Sequence, residues 1–462
     1  MHFPTVSIIT VNHNGARFLA DLFDSISGLD YPAGKIQTIM VDNNSADNSC
    51  TMVNTRYPWV NIISMDKNYG YAQGNNAGFN HSTGDFIALI NNDCVVDRKW
   101  LIEMIKSVTM EGRPVKAGAA ASKVLFFYRY IILEFITCGP SLRFLDVSIK
   151  NGQKSGSLGV CYLEENLCKS IRFLKNCRPD TRDRDGTITS WLVSDKALIA
   201  IPVADPDNEI EIKIQSYSSS SITGMQVRIP AKTPDNVIHS GNTPDGKSAV
   251  VFKIKKNDFV FCADLINSCG IEVNRSFYAR DRGSDSIDSG QFDREEEIFA
   301  PSGSSLLISR KMIEETGGFD RSFFTYYEDM DLFWRARLKG WNIYFSPGSI
   351  VRHHHCGTGV EWSPSFTYYV LRNRVLSIFK CGWFTLFIRS YFAFLAAAVI
   401  ALAGCLRLIL TGRRCSRPDI PIRARIIFEF FYLLPKNIFA RLKIRRSRKV
   451  ADSGIKKWAI EF

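Results

Sequence analysis

Four short apolar runs open the chain, each closed by polar residues: "VSIITVNHNG", "IQTIMVDNNSADNS", "VNIISM" and "FIALINNDCVVD". Runs of this length with little alternation predict strands buried on both faces. After the first, "FLADLFDSI" places apolar residues at helical spacing. Strands alternating with helices predict a parallel α/β sheet, which binds ligands at the carboxyl ends of its strands. The polar residues gather there: His13, Asn14, Asp42, Asn43, Asn92 and Asp93. Ser45 or Asp47 stands where it can cap the helix after the second strand.

The pattern breaks twice in this half. "NYGYAQGNNAGF", Asn68 to Phe79, holds three glycines and three asparagines and reads as a ligand-facing loop. It lacks the Gly-Lys-Ser/Thr of a phosphate loop and follows no strand as a dinucleotide fingerprint must. Further on, "FFTYYEDMDLFWRARLKGW" runs from Phe323 to Trp341. Met330, Phe333, Trp334 and Leu338 form one apolar stripe at helical spacing, and Glu328, Asp329 and Asp331 crowd its start. One acid suffices to cap a helix. Three repel one another, so on these residues alone capping and chemistry both stay open.

Between 126 and 262 the texture changes to short alternating runs, among them "TSWLVS", "EIEIKIQSY" and "SAVVFKI", separated by turn residues. This predicts an antiparallel sandwich or half-barrel with a packing or partner role; glycan binding on Trp191 and Tyr217 as aromatic platforms is the lesser reading. Near the end, "SYFAFLAAAVIALAGCL" gives seventeen uncharged residues between Arg389 and Arg407. A bilayer span needs about 20, so a buried helix, an interfacial helix and a short span all fit.

Charge sharpens the picture. The net charge is +12, and from Arg407 to Lys449 thirteen Lys or Arg face two acids, so that segment alone carries +11. A basic tail on a nearly neutral body predicts contact with an anionic membrane surface. No recognition module for nucleic acid accompanies it. Twelve cysteines without a CxxC pair predict neither a zinc site nor a disulfide scaffold, hence a reducing, cytoplasmic body. The chain opens directly on a strand, without the pattern of a signal segment.

Taken in order, "VSIITVNHNG", "VDNNSADNS", "NYGYAQGNNAGF" and "LINNDCVVD" resemble the family 2 glycosyltransferases of GT-A fold, in their rhamnosyltransferase-like bacterial branch. "DRGSDSIDSGQFD", "APSGSSLLISRKMIEETGGFDRSFFTYYEDMDLFWRARLKGWNIYFSPGSIVRHHHCGT" and "YYVLRNR" resemble the second half of the same catalytic domain. The resemblance implies a GT-A (Rossmann-like) domain in two halves, 1–125 and 263–380. A β-sandwich-like insert would occupy 126–262, and 381–462 would form apolar and basic helices.

The resemblance also implies roles. Asp42 would hold the base or ribose of a UDP- or dTDP-sugar, with Val11, His13, Asn43, Asn68, Gly74, Asn75 and Asn92 lining the pocket. Asp93 matches the metal motif, although Asn91 stands where the family usually has a first acid. His353, with His355 as runner-up, would complete a site for Mn²⁺ or Mg²⁺ rather than zinc. Ser302 and Gly303 lie where the backbone passes close to donor and acceptor. Asp329 maps to the general base of an inverting transfer and Glu328 to an acceptor-orienting acid, while Asp331 would brace the helix. Arg372 and Arg374 would reach the diphosphate or form a solvated face. The implied acceptor is a glycan, plausibly lipid-linked, at the inner face of the cell membrane. The alternative is a carbohydrate-binding protein on a degenerate transferase scaffold; a nucleotidyltransferase would need an early basic triphosphate loop, and none is present.

Overall fold

The computed structural model describes residues 3–138, 142–157, 170–182, 188–218, 222–231, 237–243, 246–355, 363–411 and 419–462. The chain forms two compact units: 1–125 with 267–284 and 290–462, and 126–266 with 285–289.

In the first unit, strands β1 (Val6–Asn12), β2 (Ile36–Asp42), β3 (Val60–Ser64) and β4 (Phe86–Ile90) alternate with helices α1 (Ala16–Ser27), α2 (Ser49–Arg56) and α3 (Gly70–His81). β1 lies parallel to β2 and β4, and β2 to β3. Then come β5 (Cys94–Val96), α4 (Trp100–Thr109), β6 (Ala117–Phe126), β7 (Ser305–Ser309), α5 (Arg310–Thr316), α6 (Glu328–Leu338) and β8 (Asn342–His353). The sheet runs Glu296–Glu297, β8, β6, β7, β4, β1, β2, β3, with β5 paired to β8. It is a mixed sheet with a Rossmann-like parallel half. The α1 stripe of Leu19, Leu22, Phe23 and Ile26 packs on β-strand residues Ile8, Met40 and Ala88, all buried. Each such large side chain contributes roughly 1.5–3 kcal/mol by leaving water. The register pairs Asn12 with Asp42, so these two polar residues end their strands together.

The glycine-rich stretch is a helix rather than the expected loop. A Cβ on Gly74 would come within 2.7 Å of Val11 Cγ1, and one on Gly78 within 2.6 Å of Ile9 Cγ2. The glycines let α3 lie directly on β1, so close packing outweighs the helix penalty of about 1 kcal/mol per glycine. Of the two capping candidates Ser45 is spent on Asp42, and Asn48 precedes α2 without a side-chain cap. Asp47 accepts from Ser49 N (3.1 Å) and, across the fold, from Ala16 N at the start of α1 (3.0 Å).

The second unit contains one continuous nine-stranded antiparallel sheet. Its central strands run over Arg129–Cys138, Leu142–Asn151, Ile188–Val203 and Ile210–Ser218, with Ile131 opposite Ile201 and Ile212 between Ile149 and Phe252. Side chains from strands at both ends of the order, such as Val227 and Phe252, enter the same core, so the sheet curls on itself. Trp191 stacks on Phe173 with ring centroids 3.9 Å apart, which commits one face of the expected platform to packing. Tyr217 is exposed.

Three long helices close the first unit: α7 (Pro364–Cys381), α8 (Phe384–Leu410) and α9 (Asp419–Ser447). Phe384–Arg407 is long and apolar enough to cross a membrane, and most of it is not buried. Phe392, Val399, Ile400 and Leu406 of α8 are exposed, as are Phe428, Phe431, Tyr432 and Phe439 of α9. Six described cysteines are free thiols, and Cys405 on α8 is disulfide-bonded, a single bridge rather than a scaffold among the described residues. Motif spacing carries no signal for a single bridge.

Candidate active site

At the carboxyl ends of β1 and β2 the polar side chains form one network. Asn12 donates from Nδ2 to Asp42 Oδ1 (3.1 Å) and accepts from Asn92 Nδ2 (2.9 Å). Asp42 also accepts from Ser45 N (2.9 Å) and Ser45 Oγ (2.6 Å), a turn at the strand exit that fixes its carboxylate. A carboxylate offers about four acceptor positions, so Asp42 is largely occupied by its own loop. The Asn43 side chain donates from Nδ2 to Gly70 O (3.0 Å), and the Asn43 main-chain carbonyl accepts from His13 Nδ1 (3.0 Å). The Asn43 side-chain oxygen is buried with no protein partner. Such an orphan acceptor is costly unless a ligand N–H or water meets it. Val11, Asn43 and Gly74 converge at one point. Asn68 instead accepts from Gly70 N (2.9 Å), and Asn75 donates to Tyr71 O within α3 (3.0 Å).

The second cluster joins β5 to the end of β8. His353 Nε2 lies 3.1 Å from Asp93 Oδ1, both side chains being buried. His353 Nδ1 meets Asn267 Oδ1 at 2.8 Å, and the Asn267 amide nitrogen meets His355 Nδ1 at 3.1 Å. An amide oxygen only accepts, so His353 carries its proton on Nδ1 and turns the Nε2 lone pair towards Asp93 when neutral. Asp93, Cys94 and His353 bring ligand atoms within 4.8 Å of one another. Burial, then the Asp93 charge, pushes the Cys94 thiol well above its usual range. A carboxylate oxygen, an imidazole nitrogen held by a polar neighbour and a thiol thus stand close enough to hold one divalent cation. His355 sits beside this group, through Asn267, rather than in it.

The third cluster is the mouth of α6. Tyr326 and Tyr327 both adopt positive φ (64° and 67°), a conformation costing of order 1–3 kcal/mol per residue in a bulky side chain. Asn373 holds the turn, donating to Thr325 O (3.0 Å) and Tyr326 O (2.8 Å). Arg372 donates to Ser322 O and pairs with Glu429. Arg374 donates to Ser276 O and Phe277 O. Both arginines are buried braces of this region, which corrects the reading of "LRNR" as a solvated face or a diphosphate clamp. None of the three acids caps α6 in the usual way. Asp331, fully buried, pairs with Arg335 (2.9 Å) and Lys380 (2.6 Å). Burial opposes the Lys380 charge, yet Asp331 and Asp320 hold its pKa above the ordinary lysine value.

Asp329 is positioned differently. Its Oδ2 accepts from Gly303 N (3.0 Å) and its Oδ1 from Met330 N (2.6 Å). Burial raises its pKa to about 6 despite these donors, with Asp281 adding to the rise. Burial, then the neighbouring Asp329, pushes the Glu328 carboxyl well above its usual range; its Oε2 is buried without a protein partner. Tyr71 donates to Gly303 O (2.6 Å).

Gly303 and Ser304 connect the last two clusters. Gly303 N–H holds Asp329, while the next carbonyl, Ser304 O, accepts from Asn91 N (3.0 Å) and the Cys94 thiol (3.8 Å). Sequence reasoning assigned no role to Asn12, Tyr71, Asn267 or Asp281. Asp281 is raised by burial, with Ser268 and Ser302 donating to it and His355 and His353 nearby. Its signal was present, since it is the first residue of "DRGSDSIDSGQFD".

Two segments match family models: residues 7–130 match that described as "Glycosyl transferase family 2", and residues 250–372 "Glycosyltransferase like family 2". Glycosyltransferase AglE of Haloferax volcanii is 25% identical over 118 residues, covering 25% of this chain and 39% of that protein. An N-acetylglucosaminyl-diphospho-decaprenol L-rhamnosyltransferase of Mycobacterium tuberculosis is 43% identical over 53 residues, 12% of this chain and 17% of that protein. The chain thus spans well under half the length of these curated relatives. Among solved structures, the mannosyltransferase PcManGT from Pyrobaculum calidifontis, in complex with GDP-Man and Mn²⁺, aligns over 92% of this chain and 86% of that one. The identity is 11% and the TM-score 0.39.

Proposed function

Residues 7–130 and 250–372 belong to glycosyltransferase family 2, and from that premise we propose that the protein is an inverting glycosyltransferase of GT-A type. It transfers a sugar from a nucleoside diphosphate donor, UDP- or dTDP-linked, to a glycan acceptor that is lipid-linked at the cytoplasmic membrane face. The observation that carries the reading is the Gly303–Ser304 link, which holds the Asp329 carboxylate beside the loop bearing Asp93.

In this reading the orphan Asn43 oxygen accepts a base N–H, and the free acceptor capacity of Asp42 takes a ribose hydroxyl. Asp93 and His353 would hold a divalent cation, which when bound neutralises diphosphate oxygens and favours departure of the nucleoside diphosphate. Asp329, ionised above pH about 6, takes the proton of the acceptor hydroxyl as that oxygen attacks the anomeric carbon. Glu328, whose Oε2 has no protein partner, orients the acceptor hydroxyl. One base suffices for single displacement with inversion, without a covalent intermediate. The membrane reading rests on the exposed apolar faces of α8 and α9.

The test is hydrolysis and transfer of a panel of UDP- and dTDP-sugars, with and without Mn²⁺, by the wild type and by Asp329→Asn. A Mn²⁺-stimulated rate that falls by about 10²–10⁴ in the variant is expected. Equal background rates in all four conditions would leave only the binding-protein alternative.

A further inference from the structure

A cavity of about 510 Å³ opens beside the first turns of α8. Three cations line it, Arg275, Arg389 and Lys456, and no carboxylate does; Trp383 and Leu386 form apolar wall. Among the described residues, Arg389 and Lys456 have no acidic partner within ion-pair distance, and Arg275 pairs with the exposed Glu461 at 2.8 Å. Arg389 lies in the second turn of the apolar helix, yet its guanidinium turns back to donate to Arg275 O at 2.7 Å. Long basic side chains behave this way near a membrane interface, leaving the stem in the apolar layer and the charge at headgroup level. Lys456 Nζ lies 4.9 Å from the Trp383 ring centroid, and tryptophan favours that same level.

We propose that this cavity binds the phosphate of an anionic phospholipid headgroup, with the acyl chains running along exposed α8 residues such as Phe384 and Phe392. Charge complementarity and continuity with the apolar face identify the occupant. The inference rests on the membrane reading above, but not on the transfer chemistry.

The experiment uses the full chain in an uncharged detergent and follows its thermal unfolding during titration with phosphatidylglycerol, phosphatidylcholine or inorganic phosphate. Phosphatidylglycerol is expected to stabilise the wild type. In Arg389→Gln/Lys456→Gln its apparent affinity should fall about thirtyfold, the equivalent of roughly 1 kcal/mol of surface attraction for each of the two basic side chains. Lys99→Gln/Lys311→Gln, with the same loss of charge on other exposed elements, should bind as the wild type does. Equal stabilisation by phosphatidylcholine, an equal shift with phosphate alone, no shift with any of the three, or an equal loss in the control variant would each overturn the proposal. Stabilisation by donor nucleotide with Mn²⁺, read in the same samples, reports folding and the catalytic reading separately. Recovery of the chain from lysates as soluble protein without detergent would instead sink the membrane reading.

Discussion

Asp329 shows how one carboxylate is tuned by its surroundings. Burial pushes its pKa up to about 6, and the Gly303 and Met330 N–H groups keep it from rising further. A base with that value is ionised at neutral pH yet basic enough to take a proton in the transition state. The transfer rate should therefore climb with pH through about 6, and the Asp329→Asn residual rate should lose that limb. Stability moves the opposite way. The folded state binds the proton more tightly than the unfolded chain does, so this group's contribution falls as pH rises from the ordinary carboxylate range through about 6. At pH 8 Asp329→Asn should unfold about 1–2 kcal/mol harder than the wild type, discounting for partial exposure of the carboxylate. Urea melts at pH 5 and pH 8 measure this; a variant destabilised at pH 8 would show that the charge is better compensated than its surroundings indicate.

At the scale of elements, α3 sets the shape of the pocket at the end of β1. Gly74→Ala improves helix propensity by up to about 1 kcal/mol, but its Cβ would meet Val11 Cγ1 at 2.7 Å and Asn43 Nδ2 at 3.1 Å. Valine is stiff at χ1, so overpacking of about 1–3 kcal/mol should prevail. The expected result is a net loss of stability that Val11→Ala partly restores in the double variant. A stabilised single variant would mean that α3 can lift off β1 without cost. The same logic governs the aromatic loop before α6, whose two left-handed tyrosines are held by Asn373 from α7.

At the scale of the molecule, the C-terminal helices pack on the elements that hold the mouth of α6. Glu429 of α9 pairs with Arg372, and Lys436 reaches Asp320 at 3.3 Å, beside the buried Asp320–Lys380–Asp331 chain. The 24 residues from Phe384 to Arg407 extend about 36 Å as a helix, against about 30 Å of bilayer hydrocarbon. The chain should stay with the membrane pellet through high-salt and alkaline washes and leave it only with detergent. Release by salt alone would reduce the contact to the basic surface of α9.

How much of this was legible beforehand follows from the range over which each signal acts. Strands β1 to β4, helix α1, the stripe of α6 and the basic, apolar character of the C-terminal helices were readable from periodicity and charge, because burial of a repeating face leaves its mark in neighbouring residues. The family resemblance brought Asp93 and His353 to one site, but the bridging Asn267 and the grip of Gly303 on Asp329 join residues more than twenty positions apart with no motif to announce them. Their energies depend on distance and desolvation, which a linear pattern does not carry. For the same reason glycines at four-residue spacing looked like a loop until β1 stood against them, and two arginines looked solvated until burial gave them backbone carbonyls to serve.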